Sequence, residues 1–493
     1  MRSDVIVVGA GPTGLALACG LRAAGVDVRV LDKAAGPAET SRALGLQPRG
    51  VEVLDRLDAL GDLPDRGLPI RSVVINVDGR ELASFPVGQA TRLGGPRGLI
   101  MSQADIEGAL RDRLAAVGGD VEWGRGVSGL AQVPDGVRVR LGDGSEVGAA
   151  WVVGADGAHS VVRKAMGIGF PGVPIVERFL LADVHADIDR PREGAVSWLR
   201  GDMALAAFPL PGDDLWRVMA PAPTEFGDEP APEAIVGYLG SRLAAEAAGT
   251  IRSPVWTSTF RIQRRLADAY RRGRVLLAGD AAHIHSPLGG QGMNTGIGDA
   301  ENLAWKLALV VSGRADQSLL DTYEAERRPI AKGVLETTSS VTEVVVGQGW
   351  ATRLLRDRVA VPLMNRSWVQ QLITERGSQL KVSYRNGPLG VGLSRFLPGV
   401  RAGDRVADRT CTHVDGMAVR LYDVLGPAWA LIGAEPLADA ARERLGDVVA
   451  LRGERNAVLV RPDGHLAWRG TDGAGLQAWL DVALGPRVEV LTP

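Results

Sequence analysis

Val5-Ile-Val-Val-Gly9-Ala-Gly11-Pro-Thr-Gly14, followed by the apolar run Leu15 to Ala24 and then by Val26-Asp-Val-Arg-Val-Leu31-Asp32, is the stretch whose reading decides the fold. It reads as a buried strand, a glycine turn, a helix and a second strand. Gly9, Gly11 and Gly14 stand where a tight turn and a close backbone approach to a pyrophosphate are needed. The helix that follows would offer that anion its N–H groups and the positive end of its dipole. Asp32 closes the second strand, where an acid hydrogen-bonds an adenosine ribose, and Pro12, Thr13 and Lys33 flank these positions. The fingerprint selects a dinucleotide-binding α/β unit and leaves FAD and NAD(P) both open.

Two later segments share this grammar. Trp151-Val-Val-Gly-Ala-Asp156-Gly-Ala-His-Ser160 is a buried strand that ends in Asp-Gly and enters a helix. Arg274-Val-Leu-Leu-Ala-Gly-Asp280-Ala-Ala-His283 ends in Gly-Asp and continues through Pro287-Leu-Gly289-Gly290-Gln-Gly292-Met293-Asn294 into an apolar-periodic helix that reaches Lys306. A glycine-rich loop before a helix lets backbone N–H groups approach a ligand closely. Taken alone, this last segment is an anion or cofactor loop of unspecified kind. His283 reads as structural, and His285 as solvated or pocket-lining.

Composition narrows the function classes. A chain of 493 residues predicts two or three domains. With 56 basic against 58 acidic residues and a net charge of −2, nothing calls for nucleic acid or an anionic membrane, so small molecules are the expected partners. Cys19 and Cys411 have neither pairing nor metal spacing, which fits a reducing, cytoplasmic compartment. No apolar run approaches the ~18 residues of a membrane span, and the N-terminal strand is too short for a signal-peptide core. There is no His-x-x-x-His pair, Gly-x-Ser-x-Gly elbow or phosphate-loop lysine motif to support a zinc-protease, serine-hydrolase or P-loop reading.

The pattern divides the chain into five parts. Residues 1–170 form the first part of the dinucleotide domain, with a β-rich excursion at 70–97 whose hairpin turns at Asp78-Gly79. A helix from about Gln103 to Ala116 starts at Ser102 as its cap. Residues 171–264, alternating and rich in Trp and Pro, read as an inserted sheet domain forming one wall of a substrate pocket. Trp198, Phe208, Trp216 and Met219 are the candidates for that wall. Residues 265–346 return to the dinucleotide domain, with a helix expected to break near Pro329. A helical linker at 347–395 leads to a tail, 396–493, read as a unit of its own with a hairpin around Pro462-Asp-Gly464. The tail has no Cys-x-x-Cys and therefore no dithiol role.

In order and spacing, the segments at Gly9, Asp156 and Asp280 resemble the motifs of the single-component (class A) FAD-dependent aromatic hydroxylases of the para-hydroxybenzoate hydroxylase fold. Leu459-Val-Arg-Pro-Asp-Gly-His-Leu-Ala-Trp468 is similar to the thioredoxin-like tail of the phenol and polyketide hydroxylase branch. The resemblance implies an α/β fold: an FAD-binding Rossmann-like (GR2-type) domain, an inserted mixed or antiparallel sheet for substrate, and a C-terminal thioredoxin-like α/β domain. It implies FAD as cofactor, with Gly9, Gly11 and Gly14 at the pyrophosphate and Asp32, where many relatives carry Glu, at the ribose. Arg42 and Gln103 match the family's FAD-contacting Arg and Gln. Asp156 sits in the motif that serves FAD and passing NAD(P)H, and Asp280 matches the acid on the ribityl chain. The backbone at Pro287, Gly289, Gly290 and Gly292 to Asn294 would lie along the isoalloxazine, with the Pro287 carbonyl near the reacting oxygen. The implied reaction consumes NADPH or NADH and O₂ and hydroxylates an electron-rich phenolic or polyketide ring through a flavin C4a-hydroperoxide. Baeyer–Villiger oxygenation, epoxidation and a flavin-binding protein without turnover are the alternatives; a monomer or homodimer is expected.

Overall fold

The computed structural model describes residues 2–40, 43–69, 71–86, 93–201, 203–227, 229–285, 290–346, 354–390, 400–453 and 456–485, with backbone alone at 173–177, 262 and 337–346. The opening stretch folds as strand Ser3–Val8, helix Pro12–Ala23 and strand Val28–Leu31, the strands parallel with Val5 opposite Val28. Helices and neighbouring strands cover both faces of a parallel strand, so Val5, Ile6 and Val7 are all fully buried. Glu146–Gly154 lies parallel on the other side of Ser3–Val8, and Val275–Leu277 lies parallel beyond it. Among the described residues these strands belong to one eight-stranded sheet. Three segments far apart in the chain thereby end side by side at one edge, where ligands of open α/β sheets bind.

Among the described residues a second eight-stranded sheet runs, in order, through His283–Ile284, Gly249–Leu266, Gly172–Ile188, Leu215–Pro221, Met203–Pro209, Gly194–Arg200, Ser72–Val77 and Arg80–Pro86. Helix Pro232–Ala245 covers one of its faces with Ile235, Leu239 and Leu243. The hairpin at Asp78-Gly79 forms as expected, with positive φ at both turn residues (48° and 78°). The sequence reading groups it with the dinucleotide domain, whereas the structure adds it to the second sheet. Ser72–Val77 pairs in parallel with Gly194–Arg200, a long-range match that no local pattern signals.

The expected break at Pro329 is also corrected: helix Asp321–Val346 runs straight through it. Tyr323 Oη donates to the Leu277 carbonyl (2.8 Å) before the proline, and Arg328 Nε donates to the Ala267 carbonyl (3.0 Å) beside it. Buried ion pairs at Glu326 and Arg327 add to these anchors, and together they outweigh a proline cost of roughly 3 kcal/mol. Within 347–395 the described elements include the turns Arg356–Ala360 and Val361–Leu363 and the helix Ser367–Gly377.

The tail sheet orders Val448–Leu451, Trp429–Ile432, Ala457–Val460 and Leu466–Gly470, with the first pair parallel and the others antiparallel. Helices Glu435–Leu445 and Gly473–Leu484 complete the thioredoxin-like unit. Its independence needs correcting. Leu421, Tyr422 and Val460 pack within the tail, but Leu431, Leu459 and Trp479 share a core with Trp305, Leu309 and Leu319 of the dinucleotide half. Trp305 meets Trp429 edge-on at 5.1 Å, so the apolar face of the tail is completed only by docking. Among the described residues no helix is long and apolar enough to cross a membrane.

Candidate active site

The three motif loops pack directly on one another. Gly9 has φ +106°, and a Cβ there would collide with the Ala155 carbonyl of the Asp-Gly loop. Gly279 has φ +60°, and its Cβ would come within 2.6 Å of Thr13 Oγ1, the hydroxyl that a Cβ at Gly296 would also strike. Thr13 is therefore wedged between the Gly-Asp turn and the helix Gly292–Val311. Gly11 is different, because a Cβ there would meet no atom of the described residues within 4 Å. The helix it opens has no side-chain cap, which leaves first-turn N–H groups available to an anion in that space.

The acids of the motifs sit in three different settings. Asp32 is fixed beside the glycine turn, accepting from Ala10 N (2.7 Å) and Ala34 N (2.8 Å); Lys33 next to it is exposed. Asp156 accepts from Ser160 Oγ (2.5 Å), the cap of the short helix Val161–Ala165, and from Val161 N (2.7 Å) in its first turn. Arg163, from that helix, donates to the Ala281 carbonyl (2.9 Å) and ties the Asp-Gly loop to the Gly-Asp loop. Asp280 is the middle residue of the turn Gly279–Ala281 and is exposed as a residue, though protein surrounds its carboxylate. The protein crowded around it pushes its pKa up, and His283 pulls in the other direction.

The glycine cradle is stitched by a side chain. Asn294, expected to contribute backbone, buries its amide, which accepts from Gln47 N (2.8 Å) and donates to the carbonyls of Gly290 (2.9 Å) and Gly45 (3.3 Å). Gly290 turns at φ +61°, Gln291 caps Gly292–Val311 without a side-chain bond, and Met293 is half-buried in the first turn. Gln103 begins the helix capped by Ser102 and donates to Glu107 (2.7 Å), whose carboxyl burial pushes up in pKa. Arg42, Pro287 and Gly289 lie outside the described residues.

Asp299 and Arg327 join behind the cradle, and neither is singled out by the sequence reading. Asp299 accepts from His283 Nε2 (2.6 Å), Arg327 Nε (2.7 Å) and Gly279 N (3.1 Å). Burial alone would raise its pKa, but His283 and Arg327 hold it below the usual carboxylate range. Arg327 also donates to the Thr295 carbonyl (2.9 Å). The one signal available in sequence was a carboxylate on the buried side of an apolar helix.

The four candidates for the substrate wall divide by strand parity. Trp198 (3% exposed) and Trp216 (2%) point to the face covered by helix Pro232–Ala245 and belong to its core. Their assignment to the wall is corrected, since alternate residues of a strand face opposite ways. Phe208 and Met219 are half-buried on the other face. That face also carries Arg217, paired with Asp183 through Nε (2.7 Å) and Nη2 (2.8 Å), and the stacked rings of Phe179 and Phe260, 5.7 Å apart. Arg217 Nη1 reaches the Ala43 carbonyl at 3.5 Å, so this face borders the loop that leads to the Asn294 stitch. The signal for Arg217 was its parity with Met219 within Trp216-Arg-Val-Met219.

The open space at Gly11, two helix starts without side-chain caps and the exposed Asp280 fit a flavin dinucleotide. The family model described as an FAD binding domain matches residues 2–338. The 6-methylpretetramide 4-monooxygenase of Streptomyces rimosus is 36% identical over 95% of this chain and 90% of its own length. A rifampicin monooxygenase of Streptomyces venezuelae is 37% identical over 97% of this chain and 99% of its own. The solved structure of the OxyS anhydrotetracycline hydroxylase from Streptomyces rimosus superposes with a TM-score of 0.81 at 34% identity, covering 99% of this chain and 100% of that one. The chain belongs to the FAD binding domain family and is a flavoprotein monooxygenase with FAD as its cofactor.

Proposed function

We propose that this enzyme hydroxylates an electron-rich, fused-ring aromatic substrate of polyketide type, consuming NADPH or NADH and O₂. The observation that supports the reading is the packing of the three motif loops on one another, with the sheet face of Phe208, Met219 and the Phe179–Phe260 stack joined through Arg217 to the loop at Ala43. Relatives over the full chain length support the substrate class, being named for 6-methylpretetramide, rifampicin and anhydrotetracycline. Both cysteines are free, in keeping with a cytoplasmic enzyme.

Bound FAD supplies the redox and oxygen-transfer chemistry. Gly11 and the first turn of Pro12–Ala23 would hold its pyrophosphate, Asp32 its adenosine ribose and Asp280 its ribityl chain. The start of Gly292–Val311 would present its dipole and N–H groups to the bound ring system. The apolar sheet face excludes water from the reacting ring, and the Arg217–Asp183 pair sets one fixed polar point on it. The test is direct. Purified protein should be yellow, with an absorbance band near ~450 nm from bound flavin. A panel of polyketide aglycones and simple phenols, scored by NAD(P)H oxidation and by gain of one oxygen in the product, should favour the fused-ring compounds. A colourless protein that FAD cannot reconstitute would overturn the reading.

A further inference from the structure

We infer that the tail turn Arg461-Pro-Asp463-Gly-His465 is a positioning element for the flavin cradle, holding helix Gly292–Val311 so that its first turn keeps one shape against the cofactor. The inference rests on the proposed assignment of that first turn to the flavin.

The turn belongs to the tail but is buried in the dinucleotide half, with Arg461, Asp463 and His465 each no more than 1% exposed. Asp463 accepts from Arg49 Nη2 at its carbonyl (2.7 Å), and from Asn302 Nδ2 and Trp305 Nε1 at its carboxylate (both 3.3 Å). Arg461 binds both oxygens of Glu326, the acid that also takes Asn302 Nδ2 (2.8 Å) and Lys306 Nζ (2.8 Å). Asn302, Trp305 and Lys306 all lie on the cradle helix. Gly464 turns at φ +71° with the Arg56 guanidinium 3.3 Å from where a Cβ would stand, so the chain reverses against a buried cation.

A path of side-chain contacts leads from the turn to the first turn of the helix. The His465 ring packs on Tyr384 at a tilt of 41°, with ring centroids 4.3 Å apart. Tyr384 Oη accepts from Arg327 Nη1 (3.0 Å), and Arg327 holds both the Thr295 carbonyl and Asp299. Asp299 in turn accepts from Gly279 N of the Gly-Asp loop. Gly298 lets Arg327 lie flat on the helix, since a Cβ there would come within 3.0 Å of its guanidinium. The apolar contacts of Trp305 and Leu309 would tolerate small slips of the helix. Buried charges satisfied by directional bonds allow one arrangement, and such networks commonly add less stability than apolar packing of the same volume. Among the described residues, none of the turn lies in the cradle or on the substrate face, so its effect passes through Tyr384, Arg327 and Glu326.

The experiment uses the full-length holoenzyme and two variants, Asp463→Asn and Tyr384→Phe. Tyr384→Phe removes only the hydroxyl that meets Arg327 and leaves the bonds of Arg461, Glu326 and Asp463 in place, so it decides the matter if Asp463→Asn does not fold. The readouts are FAD affinity and the two-electron midpoint potential of the bound flavin. Expected is a tenfold or larger change in the ratio of affinities for oxidised and reduced flavin, which is a shift of about 30 mV, in the same direction in every variant that folds. Potentials and affinities unchanged from the parent, whatever happens to the melting temperature, overturn the inference and leave the turn a purely structural contact. A parent chain that binds no FAD overturns the flavin assignment itself, and the inference with it.

Discussion

Arg461 and Glu326 stand 135 residues apart in the chain and face each other out of reach of solvent as a doubly hydrogen-bonded pair, Nη1 to Oε1 at 2.8 Å and Nη2 to Oε2 at 2.9 Å. Glu326 also serves Lys306, and Arg461 is shared with Asp463, so losing the Glu326 carboxylate takes one ion-pair partner from each buried cation. Glu326→Gln should cost about 3–5 kcal/mol, the usual penalty for leaving buried charge uncompensated. Urea unfolding measures it, and a loss under ~1 kcal/mol would show that the cations find other partners.

Acid should weaken the same junction in a defined window. Burial alone would raise the pKa of Glu326, but Arg461 and Lys306 hold it at about 2, against an ordinary 4.5. Its contribution is complete above 4.5 and is lost as pH falls toward 2. Burial lowers His465 from 6.5 to about 4, with Asp463 opposing, so the unfolded chain takes up that proton first. The stability linked to His465 is complete above 6.5 and is lost as pH falls through that interval. Lys306, lowered by burial from 10.5 to about 8, acts on the alkaline side, where stability rises between those values. Denaturant midpoints across the pH range test this, and His465→Gln should flatten the slope between pH 4 and 6.5.

Gly11 and Gly279 should separate binding from folding. Gly11→Ala places its Cβ in open space, so the apoprotein should unfold within about 0.5 kcal/mol of the parent while FAD affinity falls at least tenfold. Gly279→Ala combines φ +60° with a clash on Thr13 and should destabilise the apoprotein itself by more than ~1 kcal/mol. Calorimetry of apoprotein and flavin titration together test the pair.

Asp280→Ala changes an exposed residue and should leave the fold intact. FAD retention should weaken by about 1.5–3 kcal/mol, the value of a charge-assisted hydrogen bond. Flavin content after gel filtration reports it, and full occupancy would rule out the ribityl role.

Trp198→Ala should cost about 3–5 kcal/mol of stability and leave substrate preference unchanged, because the indole lies in the core beneath Pro232–Ala245. Phe208→Ala and Met219→Ala should do the reverse, raising KM for bulky substrates with little effect on melting. Steady-state kinetics across a substrate series distinguishes the two outcomes.

What the sequence determined by itself was local and periodic. The strand, turn and helix at Val5 to Ala23, the cap at Ser102, the hairpin at Asp78-Gly79 and the Gly-Asp cradle each follow from steric rules over a few residues. Three such motifs in one chain were enough to identify the family and its cofactor. Only the tertiary structure decided which side of a strand faced the cleft, and so moved Trp198 and Trp216 to the core and brought Arg217 to the wall. It alone carried a helix through Pro329, stitched the cradle with Asn294 and buried Arg461 and Asp463 of the tail against Glu326 and Trp305. These outcomes depend on partners remote in sequence or on which face of an element is covered, and charge pairing such as Arg461 with Glu326 leaves no periodic trace in the chain.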